Sequence, residues 1–222
     1  MKNVSVLIMI LMFISGCSAE APKAEKEQAM PKTTEKAVFA GGCFWCVESA
    51  FSHMQGVIKA VSGYTGGAKA NPTYEEVCTG ATGHYEAVEV TFDPSKVSYL
   101  EVLNKFWQQI DPTDAGGQFA DRGSQYHAAV LYTSEEQKRI AEASKKAIDA
   151  SRMFDKPVVT QILKAKEFYP AEEYHQDYAD KNPVHYKMYE AGSGRSKYLE
   201  DKWAHRTCPL PNKIDIKGLQ RY

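Results

Sequence analysis

The sequence lacks a surplus of charge of either sign, because 27 basic residues face 28 acidic ones and leave a formal net charge of −1. A general nucleic-acid binder usually carries a basic surplus, so that class of protein is not indicated. The apolar run at residues 4–14 is too short to span a bilayer as a helix. The composition, 43% hydrophobic and 25% charged, is that of an ordinary globular protein.

The sequence also lacks the ligand spacing of a structural zinc site. Cys43 and Cys46 form one Cys-x-x-Cys pair, but no second pair and no spaced histidines follow to complete four ligands. Three interpretations stay open: a redox couple, half of a metal site, or two buried cysteines. The redox interpretation is favoured, and no metal is expected.

The N-terminus has the pattern of an export signal. Lys2 precedes the apolar run, and small residues lead to Cys17. This segment resembles the lipobox of bacterial lipoproteins, in which the cysteine becomes the lipidated first residue. A signal peptide with a chance cysteine is the alternative. We predict a signal over residues 1–16, lipid on Cys17, and a protein anchored to a membrane on the extracytoplasmic side, in the periplasm or at the cell surface.

Composition divides the rest of the chain into three parts. Residues 17–36 contain Ala, Glu, Lys and Pro but no large aliphatic residue except Met30, which predicts a flexible tether. Residues 37–190 are predicted to form the catalytic domain, and residues 191–222 an irregular C-terminal tail.

Hydrophobic periodicity and capping signals predict the elements of that domain. Predicted strands cover residues 36–40, 57–63, 86–92, 126–132 and 158–163. Predicted helices cover residues 43–51, the segment after the capping box that begins at Ser98, and the segment from Ser134 to about residue 153. Interleaved helices and strands predict an α/β (α+β) fold: a two-layer sandwich in which helices cover a mixed sheet, in a single domain.

Cys43 is the best candidate for a nucleophile. It follows Gly41 and Gly42, where a strand ends and a helix begins. A helix N-terminus offers free N–H groups and a partial positive charge, which stabilise a thiolate. Cys46 lies one helical turn further on, close enough for a disulfide with modest adjustment.

Glu86 is the best candidate for an acid. In the alternating strand at residues 86–92 it shares the apolar face, and a buried carboxyl should have a raised pKa and hold a proton near neutrality. If the strand starts one residue later, Glu86 is exposed instead; the pattern does not decide. Tyr126 shares the face of Ala128 by the same count, and Tyr74 precedes this strand, although a lone tyrosine is more often a core aromatic.

Five sequence blocks occur in the order found in one known family. They are residues 42–48 (Gly-Cys-Phe-Trp-Cys-Val-Glu), 71–80, 83–88, 121–126 and 168–176. Together they closely resemble peptide methionine sulfoxide reductase, the A type. The resemblance extends over residues 37–180 and excludes the signal, the tether and most of the tail.

The resemblance implies a reaction at sulfur. The Cys43 thiolate would attack the sulfoxide sulfur, Glu86 would be the acid, and Tyr74 and Tyr126 would donate hydrogen bonds to the oxygen. Methionine would leave and Cys43 would remain as a sulfenic acid.

The same resemblance implies the surroundings of the reacting atoms. Phe44 and Trp45 would be the aromatic walls around the S-methyl group of the substrate. Asp121 would be a further polar residue of the site, acting through water. Cys78, outside these roles, is interpreted as a small buried residue.

The sulfenic acid needs a resolving thiol. Many family members have glycine at the position of Cys46 and use a tail cysteine, whereas this sequence has both Cys46 and Cys208. The shorter loop closure favours Cys46, with Cys208 as a possible relay.

The resemblance further implies partners and specificity. The substrates would be the S epimer of methionine sulfoxide in exported proteins or peptides, and free methionine sulfoxide. A thioredoxin-like donor would supply electrons, with no metal or organic cofactor. The enzyme is expected to be a monomer. A general thiol–disulfide exchanger and a metal-binding lipoprotein module are the rival interpretations, and both leave most of the blocks unexplained.

Overall fold

The computed structural model describes residues 33–203. The predicted signal, the lipidation site and residues 17–32 of the predicted tether therefore lie outside the described residues. The tether was predicted to extend to residue 36, but a strand already begins at Glu35, because Glu35 and Lys36 pair with Phe92 and Thr91 in the sheet. Cys208 lies outside the described residues as well. Within residues 33–203, no helix combines the length and the apolar character that a membrane crossing requires.

Residues 33–203 form eight strands and seven helices. The strands are β1 (Glu35–Ala40), β2 (Val57–Thr65), β3 (Tyr85–Phe92), β4 (Gly117–Gln118), β5 (Asp121–Arg122), β6 (Ala129–Tyr132), β7 (Gln161–Lys164) and β8 (Phe168–Pro170). The helices are α1 (Phe44–Ser52), α2 (Tyr74–Cys78), α3 (Tyr99–Trp107), α4 (Glu135–Ala150), α5 (Tyr178–Lys181), α6 (Pro183–Gly192) and α7 (Arg195–Trp203).

Six of the strands form one mixed sheet in the order β7-β6-β1-β3-β2-β8. The pair β6–β7 is parallel and the other pairs are antiparallel. Helices α1, α3 and α4 pack against this sheet. The predicted fold, a mixed sheet covered by helices in one domain, is confirmed.

Strand β1 lies in the middle of the sheet and carries the core on one face. Phe39 is fully buried and stacks on Phe51 of α1 and Phe106 of α3, with ring centroids 5.5 and 4.7 Å apart. Burying one such side chain contributes roughly 1.5–3 kcal/mol. The strand is thereby fixed against both helices, and its C-terminal end, where the candidate nucleophile follows, is placed with it.

Two predicted strands have different bounds in the structure. Residues 124–126 form a 3₁₀ turn and β6 begins only at Ala129, because the Tyr126 N–H donates to the carbonyl of Gly123 (3.0 Å), which has φ of 125°. The strand predicted at residues 158–163 begins at Gln161, because the N–H groups of Val159 and Thr160 donate to the Pro112 carbonyl.

The predicted irregular tail is wrong as far as Trp203. Residues 183–203 form the helical hairpin α6–α7, which turns at Gly194 with φ of 82°. Its anchor is polar: the buried Arg195 guanidinium donates to the carbonyls of Gly41 (2.9 Å) and Gln109 (2.6 Å). Hydrophobic periodicity does not encode such an anchor, which explains the error.

Candidate active site

The residues proposed from the sequence lie around one open cavity of about 290 Å³. Its lining consists of Cys43, Phe44, Trp45, Tyr74, Glu86, Asp121, Tyr126 and Tyr189. Seven of these eight were predicted as site residues, and the structure brings all seven together. Tyr189 was not predicted.

Cys43 is the N-cap of α1, at the end of the turn that follows β1. Gly42 has φ of 79°, and a Cβ there would lie 2.6 Å from the Cβ of Gln118, so this turn requires glycine. The side chain of Cys43 is almost fully buried at the base of the cavity. The local sequence thus delivers the sulfur to the end of the central strand.

Cys43 is a thiol in this structure at neutral pH. Burial raises the pKa of Cys43 well above its ordinary value, and the hydrogen bond and charge of Cys46 and the charge of Glu86 raise it further. The N–H of Phe44, in the first turn of α1, donates to Oε2 of Glu86 at 3.0 Å. The predicted stabilisation of a thiolate by the helix start does not hold here, because the carboxyl receives that N–H.

Glu86 lies on the buried face of β3, with 2% of its surface exposed, so the exposed alternative does not hold. Burial raises the pKa of Glu86 from 4.5 to about 8, against the opposing effects of hydrogen bonds from the Phe44 N–H and the Tyr126 hydroxyl. At pH 7 about nine in ten molecules would carry this proton. The carboxyl can therefore act as an acid beside Cys43.

Two tyrosine hydroxyls lie near this acid. Burial raises the pKa of both Tyr74 and Tyr126, so both remain hydrogen-bond donors. Both hydroxyls also lie near the sulfur of Cys78. Cys78 is half-buried, which corrects its interpretation as a plain buried residue.

Tyr74, the first residue of α2, is held by the carboxylate of Glu172, which follows the edge strand β8. Its N–H donates to Oε1 of Glu172 at 2.9 Å, and the Tyr64 hydroxyl donates to Oε2 at 2.8 Å. Glu172 lies in the last of the five sequence blocks, but no role had been predicted for it.

The aromatic walls are held by further aromatic residues. Phe44 is fully buried and lies 4.9 Å from the His175 ring. Trp45 stacks on Tyr178 with ring centroids 3.8 Å apart, and its Nε1 donates to Nδ1 of His175 at 3.1 Å. No role was predicted for His175 and Tyr178, because hydrophobic periodicity does not show that they contact Phe44 and Trp45.

Asp121 reaches the cavity from the short strand β5. The Tyr189 hydroxyl donates to its Oδ2 at 2.6 Å and also lies within hydrogen-bonding reach of the Cys43 sulfur. Tyr189 packs edge-on against Trp45, with ring centroids 5.7 Å apart. Tyr189 lies on α6, two residues before the segment that was predicted to be an irregular tail from residue 191.

Cys46 lies below Cys43 in a different electrostatic setting. It is 3% exposed, and the hydrogen bond from Cys43 lowers its pKa, as do the positive charge of Arg195 and the Tyr186 hydroxyl. The two thiols are therefore unequal: their shared hydrogen bond raises the pKa of Cys43 and lowers that of Cys46, and the Arg195 charge lowers the pKa of Cys46 further.

No metal centre accompanies this pair in residues 33–203, where no group of three His, Cys, Asp or Glu side chains could hold an ion.

Comparisons with known proteins identify a family. Residues 35–207 match the family profile described as Peptide methionine sulfoxide reductase. "Peptide methionine sulfoxide reductase MsrA" of Bacillus velezensis is 58% identical over 177 residues, which are 80% of this chain and 100% of the relative. The protein of the same name from Bacillus subtilis is 56% identical over 174 residues, 78% of this chain and 98% of the relative.

A solved structure agrees. "Methionine sulfoxide reductase A of Corynebacterium diphtheriae" superposes with a TM-score of 0.62 at 35% identity, covering 69% of this chain and 77% of that one.

Proposed function

We propose a mechanism for this chain from the premise that it belongs to the peptide methionine sulfoxide reductase family, A type, and is an oxidoreductase. Cys43 is the attacking thiol and the substrate is the S epimer of methionine sulfoxide, in proteins, in peptides or free. The observation that carries the proposal is the single cavity where a cysteine, a protonated carboxyl, two hydroxyls and two aromatic walls meet.

The walls select the substrate. The S-methyl group of methionine sulfoxide is apolar and small, and the faces of Phe44 and Trp45 offer it an apolar contact. His175 and Tyr178 hold Trp45 in place, so the wall is preorganised. The sulfoxide oxygen is then directed towards the polar side of the cavity.

The polar side activates the sulfoxide. The hydroxyls of Tyr74 and Tyr126 donate to its oxygen, and Glu86 transfers its proton there. The Cys43 thiol gives up its proton to the carboxyl groups of the cavity, and its sulfur attacks the sulfoxide sulfur. The S–O bond breaks, and the oxygen passes to Cys43 as a hydroxyl group. The substrate sulfur gains two electrons and the Cys43 sulfur loses two, which yields methionine and a Cys43 sulfenic acid.

Cys46 resolves that sulfenic acid. The Arg195 charge favours loss of the Cys46 thiol proton. The Cys46 sulfur attacks the Cys43 sulfur, this proton leaves with the Cys43 hydroxyl group as water, and the Cys43–Cys46 disulfide forms. A thioredoxin-like donor then reduces this disulfide by thiol exchange. Both electrons come from thiols, so the cycle has no step that calls for a metal or an organic cofactor. Cys208 serves at most as a later relay.

We further propose that the enzyme repairs oxidised exported proteins while anchored through lipid on Cys17. The support is the sequence alone: a short apolar run, small residues before the cysteine, and a tether without a core. Residues 17–36 would let the catalytic domain reach substrates near the membrane.

The decisive experiment is a reduction assay on each epimer of a methionine sulfoxide peptide, with dithiothreitol as the reductant. Reduction should be confined to the S epimer, and Cys43→Ser should abolish it. The matched control is Cys208→Ser, which should retain the activity because dithiothreitol reduces the first disulfide directly. Substantial activity in Cys43→Ser would overturn the mechanism. Turnover of protein disulfides without sulfoxide reduction would favour the thiol–disulfide exchanger.

A further inference from the structure

The Tyr189 hydroxyl occupies a position that the proposed mechanism has not used. It lies between the Cys43 sulfur and Oδ2 of Asp121, to which it donates at 2.6 Å, and it lines the same cavity as both. One hydroxyl thus connects the nucleophile to a carboxylate. Burial raises the pKa of Tyr189, so the phenol keeps its proton and does not itself become a standing base.

The attack requires a base. Cys43 is a thiol in this structure, and its proton has to leave before or during the attack. The groups that face Cys43 are Cys46 from α1, Tyr74 from α2, Glu86 from β3 and Tyr189 from α6, with Asp121 of β5 behind Tyr189. Glu86 already carries a proton at pH 7 and is needed as the acid. Asp121 is the other carboxyl of the cavity.

We propose that Tyr189 is a further catalytic residue, whose hydroxyl accepts the thiol proton of Cys43 while passing its own proton to Asp121. This rests on the proposed function, because it supplies the proton transfer that precedes attack by Cys43. No phenolate forms, because the two proton transfers are concerted.

The reaction neither takes up nor releases protons overall. Glu86 gives one proton to the sulfoxide oxygen, and Asp121 receives one from Cys43 through Tyr189. Asp121 lies close enough for its charge to raise the pKa of Glu86, so the proton can return to Glu86 after methionine leaves. The sum is thiol plus sulfoxide giving sulfenic acid plus methionine, without net uptake of protons.

The position of Tyr189 is fixed from two sides. Its ring packs edge-on against Trp45, and the hairpin that carries it is anchored by Arg195 to the carbonyl of Gly41, two residues before the nucleophile. The helix that brings the hydroxyl is thus tied to the turn that presents the sulfur.

The test measures methionine release in a single turnover, with Cys46→Ser as the parent in every arm so that only the first step is observed. Tyr189→Phe in this parent should slow release by about a hundredfold at pH 7, the range of a lost acid–base group. The matched control is Tyr198→Phe on α7, which removes the hydroxyl of a half-buried tyrosine from the same hairpin, close to Asp111 and outside the cavity, and should change the rate less than twofold.

The pH profile separates a proton relay from a structural role. As pH rises towards the pKa of Cys43, the thiolate forms without help, so the ratio of variant to parent rates should approach one. A ratio that stays constant with pH, or a deficit below twofold, would overturn the proposal.

Asp121→Asn provides a second arm. Tyr189 and Asp121 act on the same proton, so the variant that carries both substitutions should be no slower than the slower of the two single variants. If the rate losses of the two single variants multiply in the double variant, the residues act independently and the relay is refuted. If the Cys46→Ser parent itself releases no methionine, the proposed reductase mechanism fails, and that outcome is distinct from a failure of the relay.

Discussion

Replacing Glu86 with glutamine should make the protein less active and more stable, because burial of the carboxyl causes both effects. In the folded chain burial raises the pKa of Glu86 from 4.5 to about 8. Between these values the unfolded chain has lost the proton and the folded chain keeps it, so folding takes up a proton. The contribution of Glu86 to stability therefore becomes steadily less favourable as pH rises from 4.5 to 8.

The size of the effect follows from the shift. At about 1.4 kcal/mol per pKa unit, this titration costs the folded chain roughly 1 kcal/mol at pH 5.5 and roughly 4 kcal/mol at pH 8. Glutamine does not titrate, has nearly the same volume, and its carbonyl can still accept from the Phe44 N–H. The free energy of unfolding of Glu86→Gln minus that of the unsubstituted chain should therefore grow by about 3 kcal/mol between these pH values.

Urea unfolding at pH 5.5 and pH 8 under reducing conditions measures this difference. Glu89→Gln is the matched control: Glu89 lies on the same strand and forms an ion pair with Lys36, but its side chain is 20% exposed. It should show no comparable trend. The sulfoxide reduction rate of Glu86→Gln should fall by roughly a hundred- to ten-thousandfold. A stability difference independent of pH would show that Glu86 titrates near its ordinary value, and the acid role at neutral pH would then be refuted.

Two further predictions concern the remaining cysteines. When a thioredoxin is the only reductant, Cys46→Ser should release one methionine per chain and then stall with Cys43 as sulfenic acid, while Cys208→Ser keeps most turnover. Mass spectrometry after one turnover of the unsubstituted chain should find Cys43 joined to Cys46. A bond between Cys43 and Cys208 would contradict this prediction. Removal of residues 1–17 should leave full activity. The full chain made in a lipoprotein-processing host should fractionate with membranes, whereas the Cys17→Ala variant should not. An unmodified Cys17 on protein free in solution would refute the lipid anchor.

The position of Cys43 could be predicted because a local pattern carries it: two glycines before a helix place it at a turn. Alternation along the strand left Glu86 either buried or exposed, and only the structure shows it on the buried side of β3. The electrostatic environment of Cys43 could not be predicted, because it depends on which group accepts the hydrogen bond from the Phe44 N–H. That N–H belongs to the helix start, but a carboxyl from β3, brought close only by the fold, accepts it.

Tyr126 lines the cavity as expected, although the strand that was predicted to begin at this residue is wrong. Its expected place on the face of a strand fails, because Gly123 ends the extended backbone and Tyr126 closes a 3₁₀ turn. The family resemblance nevertheless placed it at the site. The resemblance depends on the identity of residues in a block, whereas periodicity assumes that the backbone continues regularly through it.

The hairpin α6–α7 marks the limit of hydrophobic pattern as a guide. Its contacts with the site are polar: Tyr189 donates to Asp121, Tyr186 reaches Cys46, and Arg195 donates to the Gly41 carbonyl. These contacts give the two cysteines opposite surroundings, although they lie one helical turn apart and share a helix. Cys43 lies beside Glu86 and Tyr189, whereas Cys46 lies beside Arg195 and Tyr186. Three of these four neighbours of the cysteines belong to α6 or α7, so the polar environment of both thiols depends on a part of the chain that hydrophobic periodicity did not predict.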